Sequence, residues 1–151
     1  MAASAWKIFW TAKDRMGLTG FNLGTAAGFR MSLHKTAASA LLSGSAVSKY
    51  SSIGNTAASA GCNLSVDGQV LSNPSWALSA GSTWVWDIDD EIFTPTAAAC
   101  TSIRYAVIRL SVGAASGYPL CYAALSTTAF PVGDGSSLTV QMAGTGVFTL
   151  T

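Results

Sequence analysis

Short apolar stretches with period-two alternation, cut apart by Gly, Ser, Asn and Pro, run from residue 21 to the end of the chain. That punctuation constrains the fold more than any other feature, because period two is the signature of strands whose two faces meet different surroundings. Phe29, Met31 and Leu33 alternate with Arg30, Ser32 and His34, which predicts a half-buried strand with one polar face. Leu64–Val66 and Gln69–Leu71 flank Asp67-Gly68, a good hairpin turn, and Trp76–Leu78 follows. In Thr83–Ile88, Trp84, Trp86 and Ile88 share a face that a sandwich would keep in its core, with Val85, Asp87 and Asp89 opposite. Arg104–Leu110 places Ala106, Ile108 and Leu110 inward and Tyr105, Val107 and Arg109 on the other side. Leu120–Leu125, Leu138–Met142 and Val147–Leu150 complete the series, the last two joined by an Ala143–Gly146 turn.

The one clear helical signal precedes these strands. Across residues 4–16, Lys7, Thr11, Asp14 and Arg15 form a polar face, and Trp6, Ile8, Phe9, Trp10, Ala12 and Met16 fill the rest. Ser4 is positioned to cap this helix and Gly17 to stop it. So much aromatic area must be buried, either on the chain's own core or as an anchor at an interface. Residues 36–60 are poor in information, a long Ala, Ser, Thr and Gly connection with room for short helical turns near 38–42 and 47–53. The expected fold is therefore mainly β, an antiparallel β-sandwich or jelly-roll-like domain with one N-terminal amphipathic α-helix. At 151 residues the chain fits one domain, the helix over 1–17 and the sandwich over 21–151.

Composition bears on what such a domain is for. Only 10% of residues are charged, and 75 are Ala, Ser, Thr or Gly, against a usual charged share of about 25%. Such a surface lacks the charge that keeps a lone monomer soluble, so extensive subunit contact is expected. Residues 1–50 hold six Lys and Arg against Asp14, whereas residues 51–100 hold five carboxylates and no basic residue. These blocks pair within one fold or, alternatively, between neighbouring copies head to tail. Scattered cations on a near-neutral chain argue against nucleic acid. No stretch has the roughly 20 apolar positions of a membrane helix, and Lys7 interrupts any secretory pattern, so cytoplasmic synthesis is expected.

Chemistry is sparse. Cys62, Cys100 and Cys121 are odd in number and lack CxxC spacing, which points to buried reduced thiols rather than a disulfide framework or a zinc site. His34 is the only histidine and has no flanking motif, so it reads as a solvated or interface residue. No nucleophile elbow, zinc helix or phosphate loop occurs, and the expectation is a protein that is not an enzyme and takes no cofactor. Asp87, Asp89, Asp90 and Glu91 crowd five positions but match no calcium loop. They read as a solvated strand end, or as a surface for the basic N-terminal block of a neighbour. The five Trp suit a core or an interface, with a glycan platform as the alternative.

The order of elements is similar to that of the tailed-bacteriophage capsid decoration, or cement, proteins. The resemblance rests on the aromatic segment Trp6 to Gly17, Phe21-Asn22-Leu23, Phe29 to Leu33, Asn73 to Trp76, Trp84-Val85-Trp86-Asp87 and Asp90 to Thr94. It continues through Arg104 to Ile108, Pro119-Leu120-Cys121-Tyr122, Ser137 to Met142 and Gly146 to Leu150, covering nearly the whole chain as a layout rather than a fingerprint. It implies a homotrimer on the outer surface of a phage head, bound to the major capsid protein, with no catalytic residue, metal, nucleic acid or membrane. On that reading, Trp6, Lys7, Trp10, Lys13, Arg15, Asp87, Asp89, Asp90 and Glu91 form the subunit and capsid contacts. A glycan-binding module, or a minor tail or neck component, is the alternative function.

Overall fold

A long central strand organises the molecule. The computed structural model describes residues 4–17, 22–24, 28–36, 38, 47–54, 56, 62–79, 81–111 and 117–150. Strands β1 (Lys7–Ile8), β2 (Phe29–Lys35), β3 (Gln69–Val70), β7 (Cys100–Ser111), β8 (Gly117–Ala124) and β9 (Phe130–Val132) form one antiparallel sheet. Its order is β1-β8-β7-β2-β3, and β9 also pairs with β7. A three-stranded sheet is built from β4 (Ser75–Leu78), β5 (Trp84–Asp87) and β11 (Phe148–Leu150), in the order β11-β5-β4. A ribbon of β6 (Glu91–Phe93) and β10 (Leu138–Val140) completes a mainly β, sandwich-like fold with a single helix, α1 (Trp10–Gly17), among the described residues.

The two larger sheets share a core in which Trp86 lies 5.2 Å from Phe29 and 5.3 Å from Phe148, ring centre to ring centre. The Trp86 indole N–H donates to the Leu23 carbonyl, which satisfies the polar end of a fully buried side chain. Alternation read correctly which residues of β2 and β7 share a face, but neither strand has a polar, wet side. Tyr105, Val107 and Arg109 are as buried as Ala106 and Ile108, because the segment around Tyr50 and the turn at Asp67 cover the second face. Two-sided burial turns an alternating strand into a central one.

The N-terminal segment departs from expectation. Lys7 and Ile8 pair with Tyr122 and Cys121 of β8, and the Phe9 N–H continues the ladder to the Leu120 carbonyl. Ser4 does not cap a helix: its hydroxyl accepts from the Ala124 N–H at 2.9 Å and its own N–H donates to Ala124 O. The open edge of β8 outcompetes helical propensity over residues 4–8, and the helix begins only at Trp10. Pro119 in β8 falls where the pairing with β7 slips by a residue, the kind of irregularity at which a strand tolerates a residue without an N–H.

Asp67-Gly68 makes a turn, with the Gly68 N–H on Ser65 O, but Leu64–Val66 is not a strand and β3 pairs with β2 instead. Gly68 adopts φ +74° and presses on the Met31 backbone, leaving no space for a Cβ. The Ala143–Gly146 turn likewise joins strands of different sheets, with Gly146 at φ +86° and a Cβ position 2.7 Å from Trp86 O. Of the long connection, residues 36, 38, 47–54 and 56 are described and include a 3-10 turn at Tyr50–Ser52, while the turn expected at 38–42 lies outside the described residues apart from Ala38.

Cysteine chemistry also overturns the sequence expectation. Cys62 and Cys100 are joined in a disulfide with Cα atoms 5.2 Å apart, and only Cys121 remains a buried thiol, which burial makes harder to ionise. Spacing along the chain says nothing of two cysteines that 37 intervening residues bring together.

Candidate interaction surface

The edges β1 and β11 border a groove of about 680 Å³ at one end of the sandwich. Trp6, Ile8, Met142, Val147 and Phe148 give it apolar surface, and Ser4, Gln141, Thr145 and Thr149 give it polar surface, so its lining is mixed. Lys13 is the single charged residue in that lining. It stands on the exposed side of α1, whose opposite side is fixed by buried Ala12 and by Phe9 packed 5.0 Å from Tyr122. Thr11 ties the helix to the rest of the chain by donating its hydroxyl proton to Val47 O at 2.7 Å.

The structure brings together some of the predicted contact residues and separates others. Trp6 and Lys13 meet in the groove, and Lys7 lies exposed on β1 beside it. Trp10 is 66% exposed, so of the two placements expected for the aromatic residues of this segment, the chain's own core does not hold for it. Arg15 turns away, its guanidinium 3.6 Å above the Tyr118 ring in a cation–π contact.

The four acidic residues do not act as one cluster. Asp87 accepts from the Ile88 N–H, exposed Asp89 from the Asn73 amide at 2.7 Å, and exposed Asp90 from the Met142 N–H at 2.7 Å. Glu91 is buried and accepts from the Ser72 N–H, and burial raises its pKa above the ordinary carboxylate range. No three of the described carboxylates, cysteines and histidine converge as metal ligands. Among the described residues, the ion pair is Arg109 with Asp67 at 3.7 Å, and the N-terminal cations form none with residues 87–91.

A second surface was not legible in the sequence. Leu78, Trp84 and Leu150 occupy one cross-strand row of the three-stranded sheet, on the same side as Trp86, yet they are 55%, 41% and 38% exposed. Trp84 is thus not the core residue that alternation predicts. Its sheet extends beyond the cover that buries Trp86, and its ring stacks on half-buried Trp76 at 5.6 Å and 13°. Only knowledge of where the opposing sheet ends could have separated the two tryptophans.

His34 is neither solvated nor at the surface; it is fully buried. Its Nδ1 donates to Gly54 O at 2.8 Å, and its Nε2 accepts from the Ser32 hydroxyl at 2.9 Å, which in turn accepts from the Tyr50 hydroxyl. Burial holds the imidazole neutral, lowering its pKa to about 4, and Arg109 nearby adds to the effect. Arg109 lies 4.1 Å from the Tyr50 ring centre and donates to Asp67 O. Ser32 and His34 have the spacing of a nucleophile and base, but both are sealed from solvent, so the group is a buried polar network within the core. An arginine within the apolar run Ala106 to Leu110 was the available signal for it.

Comparison with protein-family models, with curated proteins and with solved structures finds no match. No described helix is long and apolar enough to cross a membrane.

Proposed function

We propose that this chain is a structural virion protein that decorates the outer surface of a phage head, as a homotrimer, and stabilises the shell by bridging major capsid protein subunits. The observation that carries this reading is the placement of large apolar side chains outside the core on separate elements: Trp10 on α1, Ile92 on β6, and the Leu78, Trp84 and Leu150 row. A chain with so little charge that leaves such side chains uncovered has surfaces suited to several neighbours at once. Many modest contacts repeated over a shell give strength by avidity rather than by one tight site. The layout resemblance to decoration proteins supports the same role. The Cys62–Cys100 disulfide suits a protein made in the host cytoplasm whose working life is outside it.

The test is the copy number of this chain in gradient-purified virions, measured by quantitative mass spectrometry against the major capsid protein. A ratio of one, or a simple fraction of it, is the expected result. A handful of copies per particle would move the protein to the tail or neck, and absence from the particle would remove the decoration role.

One observation favours a second reading, a glycan-binding module. The Trp84 ring is held flat by its stack on Trp76 with its other face open, the geometry of a sugar platform. Quenching of tryptophan fluorescence by added oligosaccharides, lost in Trp84→Ala, would support that reading.

A further inference from the structure

Residues 62–68 lead into the turn that helps to cover the second face of the main sheet, and little apolar burial holds them there. Asn63, Ser65 and Val66 are exposed, Leu64 is half-buried, and no helix or strand includes the segment. Its two ends are fixed differently. At one, Cys62 is bonded to Cys100, the first residue of β7. At the other, Arg109 Nη2 donates to Asp67 O at 2.8 Å and Arg30 Nη1 donates to Gly68 O at 3.0 Å. Disfavoured left-handed backbone lies on both sides of the disulfide: Asn63 has φ +51°, and Ser102, in the irregularity between Cys100 and Ile103 where β7 pairs with β9, has φ +61°. A segment with so few buried apolar groups opens locally at low cost, which makes the covalent bond the principal hold on this one. Beyond Asp67 the contacts run inward without a gap. The Arg109 guanidinium sits 4.1 Å from the Tyr50 ring centre, the Tyr50 hydroxyl donates to Ser32, and Ser32 bonds His34.

We propose that the Cys62–Cys100 bond is a redox latch: oxidised, it holds residues 62–68 against Arg109, and reduced, it lets them lift and admits solvent to the Ser32, His34 and Tyr50 network. The step is thiol–disulfide exchange with a dithiol. The dithiol gives up two electrons and two protons and closes to its own cyclic disulfide, while the Cys62–Cys100 bond is replaced by two thiols. Both cysteines are buried, so exchange begins in molecules whose segment has already opened. Once the bond is broken, the chain between the two cysteines is no longer a closed loop, and the freedom it regains favours the open form. The centre of the fold does not depend on the latch, because β2, β7 and β8 pair with one another and bury Cys121 among them. The latch stands apart from capsid decoration. On that reading the chain is open in a reducing cytoplasm and sealed outside the cell.

Dithiothreitol applied to the whole oxidised chain, removed under nitrogen and followed by iodoacetamide, tests the proposal by mass spectrometry. Cys62 and Cys100 are expected to take the label while Cys121, a buried thiol in both states, stays protected and circular dichroism keeps its β spectrum. His34 is the single histidine, so carbethoxylation by diethyl pyrocarbonate reports on it alone. Its rate is expected to rise by about tenfold or more on reduction, as local opening exposes the ring, and to fall back when oxidised glutathione restores the disulfide. The chain carrying Cys62→Ser and Cys100→Ser reproduces the reduced behaviour with no reductant present. Labelling of Cys121 together with the other two cysteines overturns the proposal, since the disulfide would then hold the whole fold rather than one segment. A reduced, folded chain whose His34 reacts no faster than in the oxidised chain overturns it as well. So does a disulfide that dithiothreitol reaches only in denaturant.

Discussion

Trp86 and Trp84 are two residues apart on one strand and on one side of it, yet they live in different worlds. Trp86 is enclosed between two sheets with its N–H bonded to Leu23 O, whereas Trp84 rests on Trp76 with its outer face in solvent. The same contrast holds for the regions around them. The sheet centred on β7 is buried on both faces and holds its histidine and the Arg109 Nη2 by internal hydrogen bonds, while the rim formed by α1, β6, β11 and β4 leaves apolar side chains uncovered. The centre holds the fold together; the rim carries apolar side chains that the fold does not need to bury.

Substitutions can break that distinction. Trp86→Ala is expected to lose about 3–5 kcal/mol in urea unfolding, since it opens a large cavity and orphans the Leu23 carbonyl. The disulfide comes next: in the chain-entropy account, Cys62→Ala with Cys100→Ala, or reduction by dithiothreitol, costs about 4 kcal/mol for a loop of this size, read as a fall in Tm.

Acid probes the buried centre. Folding lowers the His34 pKa from 6.5 to about 4, so its contribution to stability is complete above the unfolded value. As pH falls below about 6.5, the unfolded state takes up a proton that the folded state refuses. Stability from this group then declines by about 3 kcal/mol and levels off below pH 4. Glu91, with its pKa raised, works in the opposite sense and gains stability as pH falls. Comparing wild type with His34→Gln across pH 4–7 isolates the histidine, and parallel profiles would falsify its assignment as a neutral core residue.

The smallest effect is expected at Trp84. Trp84→Ala in the isolated protein should cost less than about 1 kcal/mol, because most of what it removes is a surface stack. If its loss matches that of Trp86→Ala, rim and centre are equivalent and the case for Trp84 as a contact residue fails.

Much of the architecture could be read from the chain. The strands at 29–33, 76–78, 83–88, 104–110 and 120–125 lie where alternation put them, and turn residues at 67–68 and 143–146 turn. What could not be read was which strands pair and what covers each face. Asp67-Gly68 looked like a hairpin, yet β3 found β2, and residues 4–8 looked helical until an open edge captured them. Among the contact residues, Trp6 and Lys13 do meet in one groove, but Arg15 turns to Tyr118 and Glu91 is buried.

Across β2, β5, β7 and β8 the sequence alone determined the local conformation: period-two stretches become strands, and the glycines at 68 and 146 turn. Those outcomes depend on near neighbours in the chain, whose influence is written in residue order. Only the tertiary structure decided that Cys62 reaches Cys100, that His34 is sealed and neutral, and that Trp84 is left outside the cover that buries Trp86. Each of these depends on where a remote segment begins or ends in space, and long-range packing leaves no periodic trace in the residues it covers.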